Sequence, residues 1–476
     1  MSLCLSDMTI HKNNDKKPLV AVVNLRNTHI AAVSAFLYIV VLGMSTAYSA
    51  PATVDMKRPG SRFMDITAEE ISWIASLPGL SGALGNFVSG FASQKLGRRA
   101  VFMYVSTTYV TSWLMVAYAS SMTWIYIGRF LTGICAGICA VAAPAYVVEI
   151  STTEIRGLLT SGYQIAFSFG VFLVMALGIV LRWSWLAISA AVIAVCAGYL
   201  MYMMPESPPW LIRESKNKEA MKGLKFLKGK YCDIDKEFRE ISDNMAQQPT
   251  DGIRLRDVLD PTLYKPLIIA VSLMFFQQLS GVNSLMAYVV DIFESGQRFI
   301  DPHVAATCVA AVQVIGTAIS GMLMDKAGRK VLFTISGSFM TLSLIVLGLH
   351  NLLSTRCEMD MTLFGWVPLV SFVIYMSAFS IGYGPIPFVI APEIVPIHSR
   401  STVLAVASVS SSLFSFATTK LFDNMRTALG VYGLYWTYAF FALLGCLFCC
   451  FFIPETKGKT IHEINRGFSS NNNESL

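Results

Sequence analysis

Five amide side chains stand inside runs of the sequence that are otherwise apolar: Gln164, Gln277, Gln278, Asn283 and Gln313. An amide donates and accepts hydrogen bonds without carrying charge. A set of amides therefore suits a neutral, hydrogen-bonding solute better than an ion. On a helix, at about 100° per residue, Gln277 and Asn283 fall within about 120° of each other, and Gln278 and Asn283 splay by about 140°. They can share one cavity only from the flanks of a packed helix. Buried amides in membranes also bond neighbouring helices and do nothing else. One glutamine alone would read that way.

A second group is charged. Arg98, Arg99, Glu149, Arg156, Asp325, Arg329, Glu393 and Arg400 stand at the ends of apolar runs. Basic residues there anchor a helix on the cytoplasmic side, but acids contribute little to topology. A carboxylate at a helix C-terminus also opposes the helix dipole. Partners are therefore expected: Glu149 and Arg156 with Arg98 or Arg99 in one cluster, and Glu393, Arg400, Arg329 and Asp325 in another. The expectation is that these two clusters bridge the halves described below. A third group is conformational. Gly382, Gly384, Pro385 and Pro387 interrupt the apolar stretch "IGYGPIPFVIAPE", where proline removes a backbone donor and glycine weakens a helix.

The elements that must position these residues are membrane spans. Only 14% of the 476 residues are charged, against about 25% in a soluble domain, and the mean hydropathy is +0.56. Twelve runs are each long enough to cross a bilayer, at about 29–50, 71–92, 100–119, 123–148, 157–180, 184–204, 265–294, 302–324, 331–353, 364–392, 401–421 and 432–453. Of 36 lysines and arginines, 27 fall on one side, which includes both tails and the loop between spans 6 and 7. That side is read as cytoplasmic. No apolar block with a cleavage site opens the chain, so no removable leader is expected. The +6 charge follows from the topological bias and implies no nucleic-acid partner. The scattered histidines give no metal site, and no cofactor is expected.

The sequence repeats internally. "GFASQKLGRR" (90–99) and "GMLMDKAGRK" (321–330) lie 231 residues apart. "EISTTEIR" (149–156) and "EIVPIHSR" (393–400) lie 244 apart, and "PESP" (205–208) and "PETK" (454–457) 249 apart. The chain divides into a 1–28 tail, a six-helix half 29–204, a cytoplasmic helical linker 205–260, a second half 261–453 and a 454–476 tail. Two parallel halves are a transporter architecture, with the substrate at their interface near the midplane. The linker carries charge alternating with Leu and Phe, read as a solvated helical cap.

These motifs together resemble the sugar porter family of the major facilitator superfamily: "GRF" (128–130), "PAYVVEISTTEIRG" (144–157), "PESPPWL" (205–211), "QQLSGVNSLMAY" (277–288), "DKAGRK" (325–330), "GYGPIP" (382–387) and "PETKGKT" (454–460). Within it the chain is most similar to the insect facilitated trehalose transporters and related animal facilitative hexose carriers. The resemblance implies an all-α membrane protein, a transporter and not an enzyme, at the plasma membrane with both termini cytoplasmic. A small neutral sugar and the bilayer would be its partners, with no obligate protein partner. It implies that Gln164, Gln277, Gln278, Asn283 and Gln313 hydrogen-bond the sugar, and that Tyr288 forms an outer gate, thinner here because Ala287 replaces a second tyrosine. The charged clusters would latch the cytoplasmic side, and the glycines and prolines of span 10 would be a hinge.

The chain also departs from the hexose carriers. Ser380 stands where they have glutamate, Phe388 where they have tryptophan, and Ser411, Ser412 and Ser415 where they have asparagine, tryptophan and asparagine. Gln94 replaces an aspartate of the first cluster. Losing an indole removes a donor and platform area, so the span 10–11 side is expected to be wider and less polar, fit for a disaccharide. The 29–50 run has no acidic residue, and an intramembrane ionisable group is the usual mark of a proton relay. Uniport is therefore expected, with proton symport or a non-transporting sugar sensor as alternatives.

Overall fold

A computed structural model describes residues 26–152, 156–229, 234–246, 261–296, 300–356, 364–395, 400–453 and 455. Among these, all regular structure is helical. Twelve spans follow in the expected order. Span 1 is Arg26–Ala47 and Ser49–Met56, span 2 Ala68–Leu96, span 3 Arg98–Ala117, span 4 Met122–Ile150, span 5 Arg156–Leu177 and span 6 Trp183–Tyr202. Span 7 is Pro261–Leu279, Val282–Ala287 and Val289–Gly296, span 8 Pro302–Ala327 and span 9 Arg329–Arg356. Span 10 is Val367–Ala378 and Ile386–Ile394 about a π-type turn, Phe379–Tyr383; span 11 is Arg400–Lys420 and span 12 Phe422–Phe452.

Local chemistry sets the ends. Thr67 and Glu70 form a reciprocal cap at the start of span 2: the Thr67 hydroxyl accepts from the Glu70 amide at 3.2 Å, and the Glu70 carboxylate accepts from the Thr67 amide at 2.8 Å. Gly97 and Gly328, 231 residues apart, turn spans 2 and 8 into spans 3 and 9 at φ 87° and 89°, a region that disfavours a side chain. Two boundaries differ from the expected ones. Span 1 continues to Met56 and so does contain an acid, Asp55. Span 12 begins at Phe422, because the connection expected there is itself helical up to a break at Gly430.

Ten of the twelve spans are long and apolar enough to cross a membrane by composition. Span 2 is not among them because its polar residues face protein: Ser72, Ser76, Ser81, Asn86, Ser89 and Ser93 are all buried. The packing repeats as the sequence does. In the first half span 1 packs on 5, 2 on 4 and 3 on 6; in the second, 7 packs on 11, 8 on 10 and 9 on 12. The halves meet chiefly where span 2 packs on span 11 and span 5 on span 8.

After span 6 come the short helices Pro208–Arg213, Asn217–Lys228 and Ile234–Ala246. The second receives span 1: the Asn27 amide donates to the Phe226 carbonyl at 2.7 Å, and the Thr28 hydroxyl to the Leu227 carbonyl at 3.0 Å. Both act on carbonyls of that helix's last turn, which lack helical partners.

Candidate functional site

Span 7 breaks after Leu279, where Gly281 takes φ 86°. Its amides cluster on either side of this break. Asn283 donates to the Gln278 side-chain oxygen at 2.7 Å and to the Ser415 hydroxyl at 2.9 Å. Gln278 donates to the Ser411 hydroxyl at 3.0 Å and to the Gln277 side-chain oxygen at 3.3 Å. The result is a chain of uncharged donors and acceptors linking span 7 to span 11. Asn283 remains partly exposed. Gln313, on span 8, is buried with its side-chain oxygen unpartnered among the described residues. Gln164, on span 5, is half-buried. Tyr288 is buried and stacks on Phe422 with ring centroids 4.3 Å apart.

Gln277 has a different occupation. It is buried, and its amide donates to the Gly384 carbonyl at 2.6 Å, with the Tyr383 carbonyl at 3.5 Å. Pro387 offers no N–H to the Tyr383 carbonyl four residues earlier, and Pro385 none to Ile381. The Ile381 carbonyl instead accepts from the Ser320 hydroxyl at 2.7 Å. The broken backbone of span 10 is thus satisfied by side chains of spans 7 and 8, the condition on which irregular backbone survives at membrane depth. Gly382 lies close on span 9: a Cβ there would meet the Leu332 carbonyl at 2.6 Å.

Ser380 does not reach the amides. Its hydroxyl donates to its own helix, at the Met376 carbonyl (2.6 Å), and it packs against Gly316 of span 8. Phe388 is 48% exposed. Ser411 and Ser415 do meet the amide chain, and Ser412 accepts from Asn86 of span 2 at 2.9 Å, a buried amide not singled out from the sequence.

Among the described residues, the ion pairs formed by the two charged clusters fall within halves. The Arg98 guanidinium donates to Glu149 at 2.6 Å, and Arg329 to Glu393 at 3.2 Å. Each arginine follows one of the repeat glycines, and each glutamate ends span 4 or 10, so the partners belong to one half. The side chains of Arg156, Asp325 and Arg400 lie outside the described residues. Arg99 donates to the Tyr202 carbonyl at 2.6 Å and lies over the Tyr202 ring. Two acids of the repeated "PE" motifs have roles that spacing alone did not assign. Glu206 accepts from the backbone amides of Arg98 (2.8 Å) and Arg99 (3.0 Å), and Glu455 from those of Arg329 (3.1 Å) and Lys330 (3.2 Å). A carboxylate at a helix N-terminus complements the dipole.

On the opposite face the halves are clasped together. Asp291 of span 7 takes Lys57, from the end of span 1, at 3.0 Å and Arg426 of span 12 at 3.0 Å. The Ser72 hydroxyl donates to the Lys420 carbonyl at 3.1 Å, and the Lys420 ammonium sits 4.1 Å from the centre of the Trp73 ring. Asp55 is held by Arg58 at 3.3 Å and by the Trp183 amide at 2.9 Å. Arg129 is fully buried. It donates to the carbonyls of Ile74 (3.1 Å) and Ser45 (2.8 Å), lies over the Tyr48 ring, and forms no ion pair among the described residues.

The sequence model of the "Sugar (and other) transporter" family matches residues 27–468. The facilitated trehalose transporter Tret1 of Culex quinquefasciatus is 34% identical over 439 residues, covering 92% of this chain and 85% of that one. Tret1 of Anopheles gambiae is 33% identical over 439 residues, but this chain spans 55% of its length. The chain thus spans about half the length of several of the curated relatives it matches. Among solved structures, the inward open conformation of the xylose transporter XylE from E. coli superposes with TM-score 0.76 at 23% identity, covering 92% of this chain and 99% of that one. The fold is that of XylE.

Proposed function

This chain belongs to the sugar (and other) transporter family, and from that premise we propose that it is a facilitative carrier of a neutral sugar, trehalose or a hexose, working by alternating access. The observation that carries the reading is the uncharged chain from Gln278 and Asn283 to Ser411 and Ser415. These amides and hydroxyls satisfy one another. A sugar that enters replaces the serine partners with its own hydroxyls, so little hydrogen bonding is lost on either side of the exchange. Gln313, with a free acceptor, and Gln164 extend the site toward spans 8 and 5. The short serines of span 11, with Phe388 in span 10, suit a sugar as large as a disaccharide in this reading. The name of the Tret1 relatives points the same way.

Closure and opening belong to the faces. The clasp of Lys57, Asp291 and Arg426 seals the outer face, and the stacked Tyr288 covers the site beneath it. In this reading Arg98–Glu149 and Arg329–Glu393, with Arg156, Asp325 and Arg400, join the halves when the cytoplasmic face closes. Gly382, Gly384, Pro385 and Pro387 let span 10 bend between the two states. Uniport is supported by Arg129, whose charge is met by carbonyls and a ring and, among the described residues, by no carboxylate. Asp55, the acid of span 1, is held by Arg58 at the outer end. The protein would lie in the plasma membrane, with both tails, the linker and the charge clusters cytoplasmic.

The test is uptake into proteoliposomes of purified protein. Labelled sugar should enter until inside and outside concentrations match, unchanged by pH gradient or protonophore, and Gln278→Ala/Asn283→Ala should abolish saturable entry. Accumulation against the gradient that collapses with a protonophore would replace uniport by symport.

A further inference from the structure

Two polar contacts cross between the halves at mid-depth, and the internal repeat relates them. On one side of the site Asn86 of span 2 donates to the Ser412 hydroxyl of span 11 at 2.9 Å and to the Ser408 carbonyl at 3.1 Å. On the other, Ser168 of span 5 and Thr317 of span 8 bring their hydroxyls within 3.0 Å. Asn86 and Thr317 are 231 residues apart, the offset of Gly97 and Gly328; Ser168 and Ser412 are 244 apart, the offset of Glu149 and Glu393. Each contact therefore has the other as its image.

Their depths match as well. Asn86 lies ten residues before the end of span 2 at Leu96, and Thr317 ten before the end of span 8 at Ala327. Ser412 and Ser168 each lie twelve residues after the start of their spans, at Arg400 and Arg156. At about 1.5 Å per residue these positions are about 15–18 Å from the cytoplasmic helix ends, near the middle of a core about 30 Å thick. The sugar-site amides fall between the two contacts. Gln164 and Gln313 are each one turn from the Ser168–Thr317 pair: one hydroxyl donates across the pair, and the other, accepting it, donates back to the carbonyl of Gln164 or Gln313; Ser411 and Ser415 flank Ser412.

Rocking of two rigid halves about a fixed site needs an axis in the membrane plane, and two inter-half contacts at one depth on either side of the site define one. We infer that Asn86–Ser412 and Ser168–Thr317 are the pivots of this carrier, contacts that persist while the outer clasp and the cytoplasmic clusters alternate. The inference rests on the alternating-access reading above. Three of the four residues carry hydroxyls and all are small or short. Such groups can re-aim a hydrogen bond through a rotation without losing it, whereas Asp291 cannot keep Lys57 once the outer ends part.

Tethering tests this. Cysteine pairs Asn86→Cys/Ser412→Cys, Ser168→Cys/Thr317→Cys and Ser72→Cys/Lys420→Cys are joined by a short bifunctional thiol reagent, and trehalose and glucose flux is measured in proteoliposomes. The first two tethers hold the pivots, and flux should stay within about twofold of the unjoined protein; the third holds the outer end and should cut it by about tenfold or more. Loss of flux with a pivot tether as complete as with the outer one overturns the inference. If the parent protein carries neither sugar, the transport reading fails separately. The pivots are then read from spin-label separations on Asp291→Asn and parent protein. Labels at the exposed Phe87 and Leu413 should keep their separation while labels at Leu96 and Val331 change theirs. Movement at Phe87 and Leu413 as large as at Leu96 and Val331 overturns the assignment, as does no movement at either.

Discussion

At the scale of the residue, the amides divide by what they touch. Gln278 and Asn283 bond to serines that a ligand can replace; Gln277 bonds to the broken backbone of span 10. Gln278→Ala is therefore expected to raise KM for the transported sugar by about tenfold, with little change in melting temperature, the loss of one or two hydrogen bonds to ligand. Gln277→Ala should act the other way, lowering stability by about 1–2 kcal/mol through orphaned carbonyls at Tyr383 and Gly384. Thermal unfolding in detergent beside transport kinetics separates the two. The sequence makes all five amides visible, because a polar residue in an apolar run is conspicuous. It does not make their division visible, because the Gly384 carbonyl lies 107 residues from Gln277 along the chain. Nor does the sequence show where the Ser380 hydroxyl points, because a serine in a helix can always turn back on its own carbonyl. Glu206 and Glu455 were legible as repeats, but their capping depends on where the linker and tail return to spans 3 and 9.

At the scale of the element, span 10 and span 2 carry the argument. The prolines and glycines of span 10 mark a break that can be read directly, and the break is where the helix passes through its π-type turn. Restoring the donors with Pro385→Ala/Pro387→Ala should straighten this span. The expected outcome is a fall in maximal flux of about tenfold with KM nearly unchanged, since a gating step slows while the amides stay in place. A proportionate rise in KM would instead place the prolines in binding. Span 2 shows the limit of hydropathy. Its serines and Asn86 lower its apolar score because they face spans 4 and 11 and not lipid, and only the packed structure distinguishes those cases. Asp55 eluded the sequence reading because the helix of span 1 runs on through Tyr48 and Pro51 to Met56, beyond its apolar run.

At the scale of the whole molecule, the two halves and their repeat were legible, since matched motifs recur at offsets of 231 and 244. Which face is closed was not. Charges at either face suggest latches equally, and only coordinates tell that Lys57–Asp291 crosses between halves while Arg98–Glu149 and Arg329–Glu393 do not. The Lys57–Asp291 pair is partly exposed, so it should contribute only about 0–1 kcal/mol. Asp291→Lys should open the outer face, and Lys57→Asp/Asp291→Lys should partly reclose it, read as labelling of an outer-site cysteine by an impermeant thiol reagent. Failure of the swap to reduce labelling would remove the ion pair from the gate.

The central claim is that the uncharged span 7–11 chain carries a neutral sugar down its gradient. Counter-flow tests it most directly: proteoliposomes loaded with unlabelled trehalose are diluted into labelled trehalose, with glucose, fructose and myo-inositol in parallel. The account predicts a transient overshoot of label with trehalose or a hexose, absent in Gln278→Ala/Asn283→Ala. No overshoot with any of these sugars, from protein that is folded and correctly inserted, would contradict it.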